Sequence, residues 1–256
     1  MTTITTSENK KIYFASDQHL GAPTPKASLP REKKFVAWLD TIKEDAGTIF
    51  LLGDLFDFWF EYKTVVPKGF IRILGKLAEF VDQGIPVHYF VGNHDLWMKD
   101  YFETELGIPV YHKPKEFTIE NTHFFIGHGD GLGPNDNGYK RMKKLFTNPL
   151  AKRLLQGLHP DLGVKLGQYF SVKNKLISGS EDVSFLGEEN EWLALYAKRK
   201  LEDKHYDYFL FGHRHLPMEI KLNEKSTYIN LGDWITHFTY GEFDGKKVAL
   251  KKWETS

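Results

Sequence analysis

Short apolar runs alternate with segments of helical spacing along the first half of this chain. Ile12–Ser16 has the pattern of a buried strand and ends at Asp17. In Arg31–Asp45, Phe35, Trp38, Leu39 and Ile42 recur at intervals that put them on one helical face. Thr48–Leu52 predicts a second strand, closed by Gly53-Asp54, and Phe70–Gln83 a second helix, with Gly84 as its stop. Val87–Val91 predicts a third strand, running into Gly92-Asn93-His94-Asp95, and Leu96–Leu106 a further helix. Strands that alternate with helices predict a layered α/β sheet, in which a site belongs at the carboxyl ends of the strands.

From Glu116 onward the spacing changes. Phe117–Glu120, Thr122–Ile126, Tyr206–Phe211, Met218–Leu222, Ser226–Leu231 and Val248–Trp253 predict short strands with tight connections. The expected fold class is therefore α/β, two facing mixed sheets flanked by helices. Between Gly133 and about Gly187 no strand pattern occurs. Apolar residues there keep helical spacing, broken by Pro149 and Pro160. The expectation is one domain over residues 1–256, carrying a helical cap insertion at about 133–187 above the strand-end face.

Composition narrows the function. The 256 residues are 41% apolar and 27% charged, enough for a substantial core. Lys+Arg and Asp+Glu are 34 each, so no overall field points to nucleic acid, and none is expected as a partner. No cysteine is present, which excludes disulfides and thiolate metal sites and suits a reducing compartment. Met1 to Lys10 is polar and no long apolar run occurs, so neither a signal peptide nor a membrane span is expected, and a cytoplasmic location is. No coiled-coil or pairing segment stands out, so a monomer is expected.

The chemistry lies in five motifs, each after a predicted strand: Asp17-Gln18-His19, Gly53-Asp54-Leu55-Phe56-Asp57, Gly92-Asn93-His94-Asp95, Gly127-His128-Gly129-Asp130 and Gly212-His213-Arg214-His215. They supply carboxylates, imidazoles and an amide, a donor set that suits Mn²⁺, Fe²⁺ or Zn²⁺ and is too rich in nitrogen for Ca²⁺. If strand alternation continues into the loop, Asp17 and His19 project together and grip one ion, and His213 and His215 repeat the device. Asp54 stands alone, as a carboxylate shared by two ions would. Glycines beside these residues allow close backbone approach.

In these motifs the chain resembles the calcineurin-like metallophosphoesterases across about Ile12–Gly241. The resemblance implies a four-layer αββα sandwich and a role for each matching residue. Asp17, His19, Asp54 and His215 would hold one divalent ion, and Asp54, Asn93, His128 and His213 a second, with Mn²⁺ the favoured metal. A hydroxide shared by the ions would attack phosphorus. His94 would stabilise the phosphoryl oxygen or protonate the leaving group, and Asp95 would orient His94 or pack the turn. Asp57 and Asp130 are expected to support the ligands.

The insertion bears on the substrate. From Tyr139 to Lys175 nine basic residues face a single acid, Asp161, interleaved with Leu145, Phe146, Leu150, Leu154, Leu155, Leu158, Leu162, Leu166 and Phe170. Such a stretch is either a cap with a solvated basic face or a surface for an anionic, acylated ligand or membrane. Phe56, Phe58, Trp59, Phe60 and Tyr62 add aromatic surface near the same mouth, unless they belong to the core. Gly127–Asp130 followed by Asn135-Asp136-Asn137-Gly138-Tyr139, together with Asn230–Trp234, resembles the UDP-2,3-diacylglucosamine hydrolases of the lipid A pathway. That narrower resemblance implies a UDP-linked acylated sugar as substrate and UMP and the acylated sugar 1-phosphate as products. It also implies Asn137, Tyr139, Lys173 and Asn174 in the sugar-phosphate pocket, and a basic apolar cap on the cytoplasmic face of the inner membrane. One departure is that the best-known branch has Arg where this chain has His94; Gly-Asn-His-Asp resembles a sister branch. A general phosphodiesterase or phosphatase and a non-catalytic scaffold are the alternatives. The scaffold fits poorly with a motif set that keeps Asp17, His19, Asp54, Asn93, His94, His128, His213 and His215.

Overall fold

A computed structural model describes residues 2–7, 9–133, 140, 143–144, 146–167, 169, 185 and 187–254. Its strands are β1 (Thr2–Ile4), β2 (Lys11–Ala15), β3 (Ala46–Leu51), β4 (Val87–Phe90), β5 (Val110–Tyr111), β6 (Lys115–Ile119), β7 (Thr122–Ile126), β8 (Tyr208–Phe211), β9 (Pro217–Lys221), β10 (Thr227–Leu231), β11 (Thr239–Phe243) and β12 (Val248–Lys252). The helices used below are α1 (Pro25–Ile42), α2 (Ile71–Asp82), α3 (Tyr101–Glu105), α4 (Pro149–Gln156) and α5 (Trp192–Asp203). The strands form two six-stranded sheets, ordered β1-β6-β7-β8-β10-β9 and β12-β11-β2-β3-β4-β5.

Alternation along the strands builds the layers. Ile12 and Phe14 of β2 enter a cluster with Phe50, Phe90, Phe124, Leu210 and Ile229, which joins the sheets face to face. Tyr13 and Ala15 point the other way, into a cluster with Phe35, Trp38 and Leu39 of α1 and Ile73, Leu77 and Phe80 of α2. On the far side, Leu193, Ala194 and Ala197 of α5 pack on Phe125, Phe209, Phe211 and Tyr228. The result is helices, sheet, sheet, helix, the four layers expected.

Boundaries and three strands differ from the sequence reading. α1 starts six residues before Arg31, because Thr24 accepts a hydrogen bond from the Ala27 amide and Pro25 sits at the first turn. The helix expected over Leu96–Leu106 shrinks to α3. Before it, Trp97 bridges to Phe60, and the buried Glu61 carboxylate takes the Asp100 and Tyr101 amides at 3.0 and 3.2 Å. β1, β5 and β11 were not expected. β1 and β5 are very short, and β11 carries Gly241 and a buried Glu242 that binds Lys11 and Lys251.

Within the expected insertion the described residues are helical at α4 and at 160–167. α4 has no buried residue, and Leu150 and Leu154 are 66% and 68% exposed. This region is attached to the loop after β3: the Trp97 indole donates to the Phe146 carbonyl at 2.7 Å, and Phe58 and Tyr62 lie against Gly167 and Gly163. Phe56, Phe58, Trp59 and Phe60 are all buried, so the aromatic surface at this mouth is narrower than the sequence suggests. Among the described residues no helix is long and apolar enough to cross a membrane.

Candidate metal centre

β2, β3 and β4 are parallel neighbours in one sheet, and β7, β8 and β10 are parallel neighbours in the other. Their carboxyl ends gather at one edge of the sandwich. The loops are stitched together there: the Asp17 amide donates to Gly53, the His19 amide to Asp54, the Gly212 amide to His128 and the Trp234 amide to Asp17.

The expected ligands converge, though not for the reason given by strand alternation. Asp17, His19, Asp54, His213 and His215 all take left-handed backbone conformations, with φ of 58°, 45°, 53°, 70° and 51°. Such conformations are costly for side chains other than Gly, and they cluster where a site fixes them. His19 Nε2 lies 3.8 Å from Asp17 Oδ1 and 3.6 Å from Asp54 Oδ2. The left-handed turns send the two later histidines apart: His215 Nε2 reaches Asp17 Oδ1 at 3.4 Å, while His213 Nδ1 faces Asn93 Oδ1 at 2.9 Å. His213 and His215 therefore do not act as a pair on one centre, as alternation had suggested. Asp54 stands between the two groups, its Oδ2 also 3.4 Å from His128 Nε2, which lies 3.0 Å from Asn93 Oδ1. Close packing requires glycine here: a methyl group at Gly92 would strike the Asp54 carboxylate, and one at Gly212 that of Asp17.

Three features suit these residues to cations. Asp17 Oδ1 is buried without a hydrogen bond. His19 Nε2 and His215 Nε2 face each other at 3.2 Å. Asp17 and Asp54 are fully buried carboxylates that call for positive charge. Burial opposes ionisation of Asp17, yet His215 and His19 hold it down to about 2. Asp54 is held well below the usual carboxylate range against the same burial, chiefly by His128 and His94. Burial disfavours charge on His128, but Asp54 pushes it up to about 10, and Asp17 raises His215 likewise. Protonated imidazoles thus supply the charge that a bound cation would replace. Asp17 with His19 and His215, and Asp17 with Asp54 and His128, each bring donors within 4.8 Å of one another.

A family model described as calcineurin-like phosphoesterase matches residues 10–217. The chain belongs to that family. A protein of Porphyromonas gingivalis named UDP-2,3-diacylglucosamine hydrolase is 37% identical over 256 residues, covering 95% of this chain and 98% of its own. Proteins of the same name from Shewanella baltica and Haemophilus influenzae are 28% and 26% identical, each covering 88% of this chain and 89% and 91% of their own. Membership in the calcineurin-like phosphoesterases implies divalent metal ions, and the donor clusters of this chain fit that chemistry.

The surroundings of this phosphoesterase centre are more elaborate than the five motifs. Asp57 lies 3.2 Å from His19 Nδ1, and its carbonyl accepts from His94 Nδ1 at 3.0 Å. Asp233, at the end of β10, lies 3.5 Å from His215 Nδ1 and accepts the amides of Ile235, Thr236 and His237. Asp233 stands in the Asn230–Trp234 stretch that carries the narrower resemblance, where no role was read for it, although its Gly-Asp turn after an apolar run has the form of the Asp54 motif. Of the two roles open to Asp95, the hydrogen bonds are those of the turn: it accepts from the Gly92 amide and the Tyr89 hydroxyl. Burial, with Asp54 nearby, raises Asp95 to about 7. Asp130 pairs with Lys143. Arg214 is fully buried and holds Glu191, the residue before α5, at 3.0 Å, which ties the His213–His215 loop to that helix. Asn137, Tyr139, Lys173 and Asn174 lie outside the described residues.

Proposed function

We propose that this phosphoesterase hydrolyses the pyrophosphate of UDP-2,3-diacylglucosamine, giving UMP and 2,3-diacylglucosamine 1-phosphate, as a step of lipid A biosynthesis. The observation that carries the reading is near full-length similarity to the Porphyromonas gingivalis hydrolase, in a chain whose donor residues converge at a single edge. Asp17, His19, Asp54 and His215 would hold one divalent ion and Asp54, Asn93, His128 and His213 the other, with Mn²⁺ the proposed metal. Bound there, such a pair supplies Lewis acidity toward phosphoryl oxygens and a water nucleophile at neutral pH.

The chain's own part is positioning and proton transfer. Water oxygen bonds to the α-phosphorus, and the bond from that phosphorus to the bridging oxygen breaks. Asp57 fixes His94 through Nδ1, so exchange of a proton with a phosphoryl or leaving-group oxygen falls to Nε2. Asp95 holds the Gly92–Asn93 turn that presents both Asn93 and His94. Leu150, Leu154, Leu158, Leu162 and Leu166 are exposed beside Arg153 and Lys165, a surface suited to acyl chains and to an anionic bilayer. The chain is proposed to work as a cytoplasmic monomer at that membrane face.

Turnover of UDP-2,3-diacylglucosamine against bis-p-nitrophenyl phosphate, with Mn²⁺ present, tests this reading. Release of UMP at a rate well above hydrolysis of the simple ester is expected. Activity confined to the simple ester would replace the lipid substrate with a general phosphodiester.

A further inference from the structure

Beside the metal centre lies a cavity of about 300 Å³ with no part in the account so far. It opens on His128 and runs between Tyr111–Pro114, at the end of β5, and Gly129–Leu132, just past β7. Phe90, Val91 and the Tyr111 ring make it partly apolar. Lys113, Lys140 and Lys143 make it cationic. Lys140 is fixed by donating to the Gly133 carbonyl at 2.7 Å, and Lys143 by Asp130.

Asp54 touches His94 on one side and His128 on the other. His94 contacts Asp57, whose neighbour Phe58 packs with Trp97 against the segment that carries the exposed leucines. His128 lines the cationic, tyrosine-walled cavity. Each half of a UDP-linked lipid carries a phosphate, but one half adds acyl chains and the other a planar base. A volume at the small end of ligand pockets suits a mononucleotide and excludes a pair of acyl chains.

We infer that the cavity between Tyr111–Pro114 and Gly129–Leu132 is a nucleoside monophosphate subsite, holding the uridylyl half of the substrate and the UMP that leaves. The inference rests on the UDP-linked substrate proposed above. It makes Lys113 and Lys140 binding residues for the nucleotide, and it assigns the base to the wall formed by Tyr111 and Pro114.

Calorimetric titration of the full chain, saturated with Mn²⁺, tests it with UMP and with inorganic phosphate, which needs the metal centre alone. Lys113→Glu and Lys140→Glu, both at exposed positions, should each weaken UMP by about tenfold while moving phosphate less than about twofold. In the wild-type chain, UMP should slow hydrogen exchange in 111–114 and 129–132. Equal effects of the variants on UMP and phosphate, or protection at 58–62 and 97 instead, would overturn the subsite. UMP binding in this cavity without turnover of UDP-2,3-diacylglucosamine would uphold the subsite and remove only the lipid substrate.

Discussion

His19 and His215, from loops of different sheets, meet Nε2 to Nε2 at 3.2 Å, with their rings stacked at 4.8 Å between centroids. Each ring has a carboxylate at its other nitrogen, Asp57 at 3.2 Å and Asp233 at 3.5 Å. Carboxylates at Nδ1 orient both rings, so both Nε2 atoms aim at the same space beside Asp17 Oδ1. A cation placed there would take both nitrogens as donors.

Asp57→Asn and Asp233→Asn should therefore each weaken divalent metal binding by roughly 10- to 100-fold, although neither is proposed as a ligand. Titration of Mn²⁺ into chelator-treated protein reads this directly. Unchanged affinity in both variants would mean that the carboxylates merely pack the loops.

His94→Ala should keep the full metal content and lose about 10²- to 10⁴-fold in kcat. His94 lies within reach of a donor group with His19 and Asp54, but its Nδ1 is engaged by the Asp57 carbonyl, and without it the groups Asp17–His19–His215 and Asp17–Asp54–His128 remain. Metal analysis beside steady-state kinetics separates a proton-transfer role from a ligand role.

The expected cap surface should act in proportion to its charge. Arg153 and Lys165 are exposed among exposed leucines. Arg153→Glu with Lys165→Glu should cut binding to phosphatidylglycerol vesicles by at least tenfold, since each basic residue near an anionic surface contributes about 1 kcal/mol. Vesicle co-sedimentation checks this, and the loss should shrink in high salt.

His88 should make the fold acid-sensitive. Burial, aided by Lys115, lowers its pKa to about 4, and the ring stacks on Phe50 at 4.7 Å with the Tyr111 hydroxyl 3.1 Å from Nδ1. A histidine depressed in the folded state contributes stability that is complete above its unfolded pKa of about 6.5 and is lost as pH falls toward about 4. Between pH 7 and 5 the loss from this group is about 2 kcal/mol. In His88→Phe, denaturant midpoints at the two pH values should lie closer together than in the parent.

Much of this arrangement was legible because the local patterns were strong. Phe35, Trp38, Leu39 and Ile42 fixed one face of α1, and a polar motif stood after each of five apolar runs. The gathering of Asp17, Asp54, Asn93, His128 and His213 followed from those strand ends. What was missed depends on distant contacts. Glu61, whose carboxylate takes the amides before α3, is invisible to helical spacing, as is the pairing of β1 with β6. The left-handed turns that part His213 from His215 are set by backbone bonds across sheets, such as that from the Gly212 amide to His128. The role of Asp233, quoted only as part of Asn230–Trp234, was missed for the same reason: its partner His215 arrives from another strand.

The most direct test is the stoichiometry of Mn²⁺ bound by the wild-type chain and by Asp54→Asn, measured by equilibrium dialysis with metal analysis. The shared carboxylate predicts two ions per wild-type chain and at most one, weakly held, in the variant. Two tightly bound ions in Asp54→Asn, or none in the wild type, would contradict a metal pair built on Asp54.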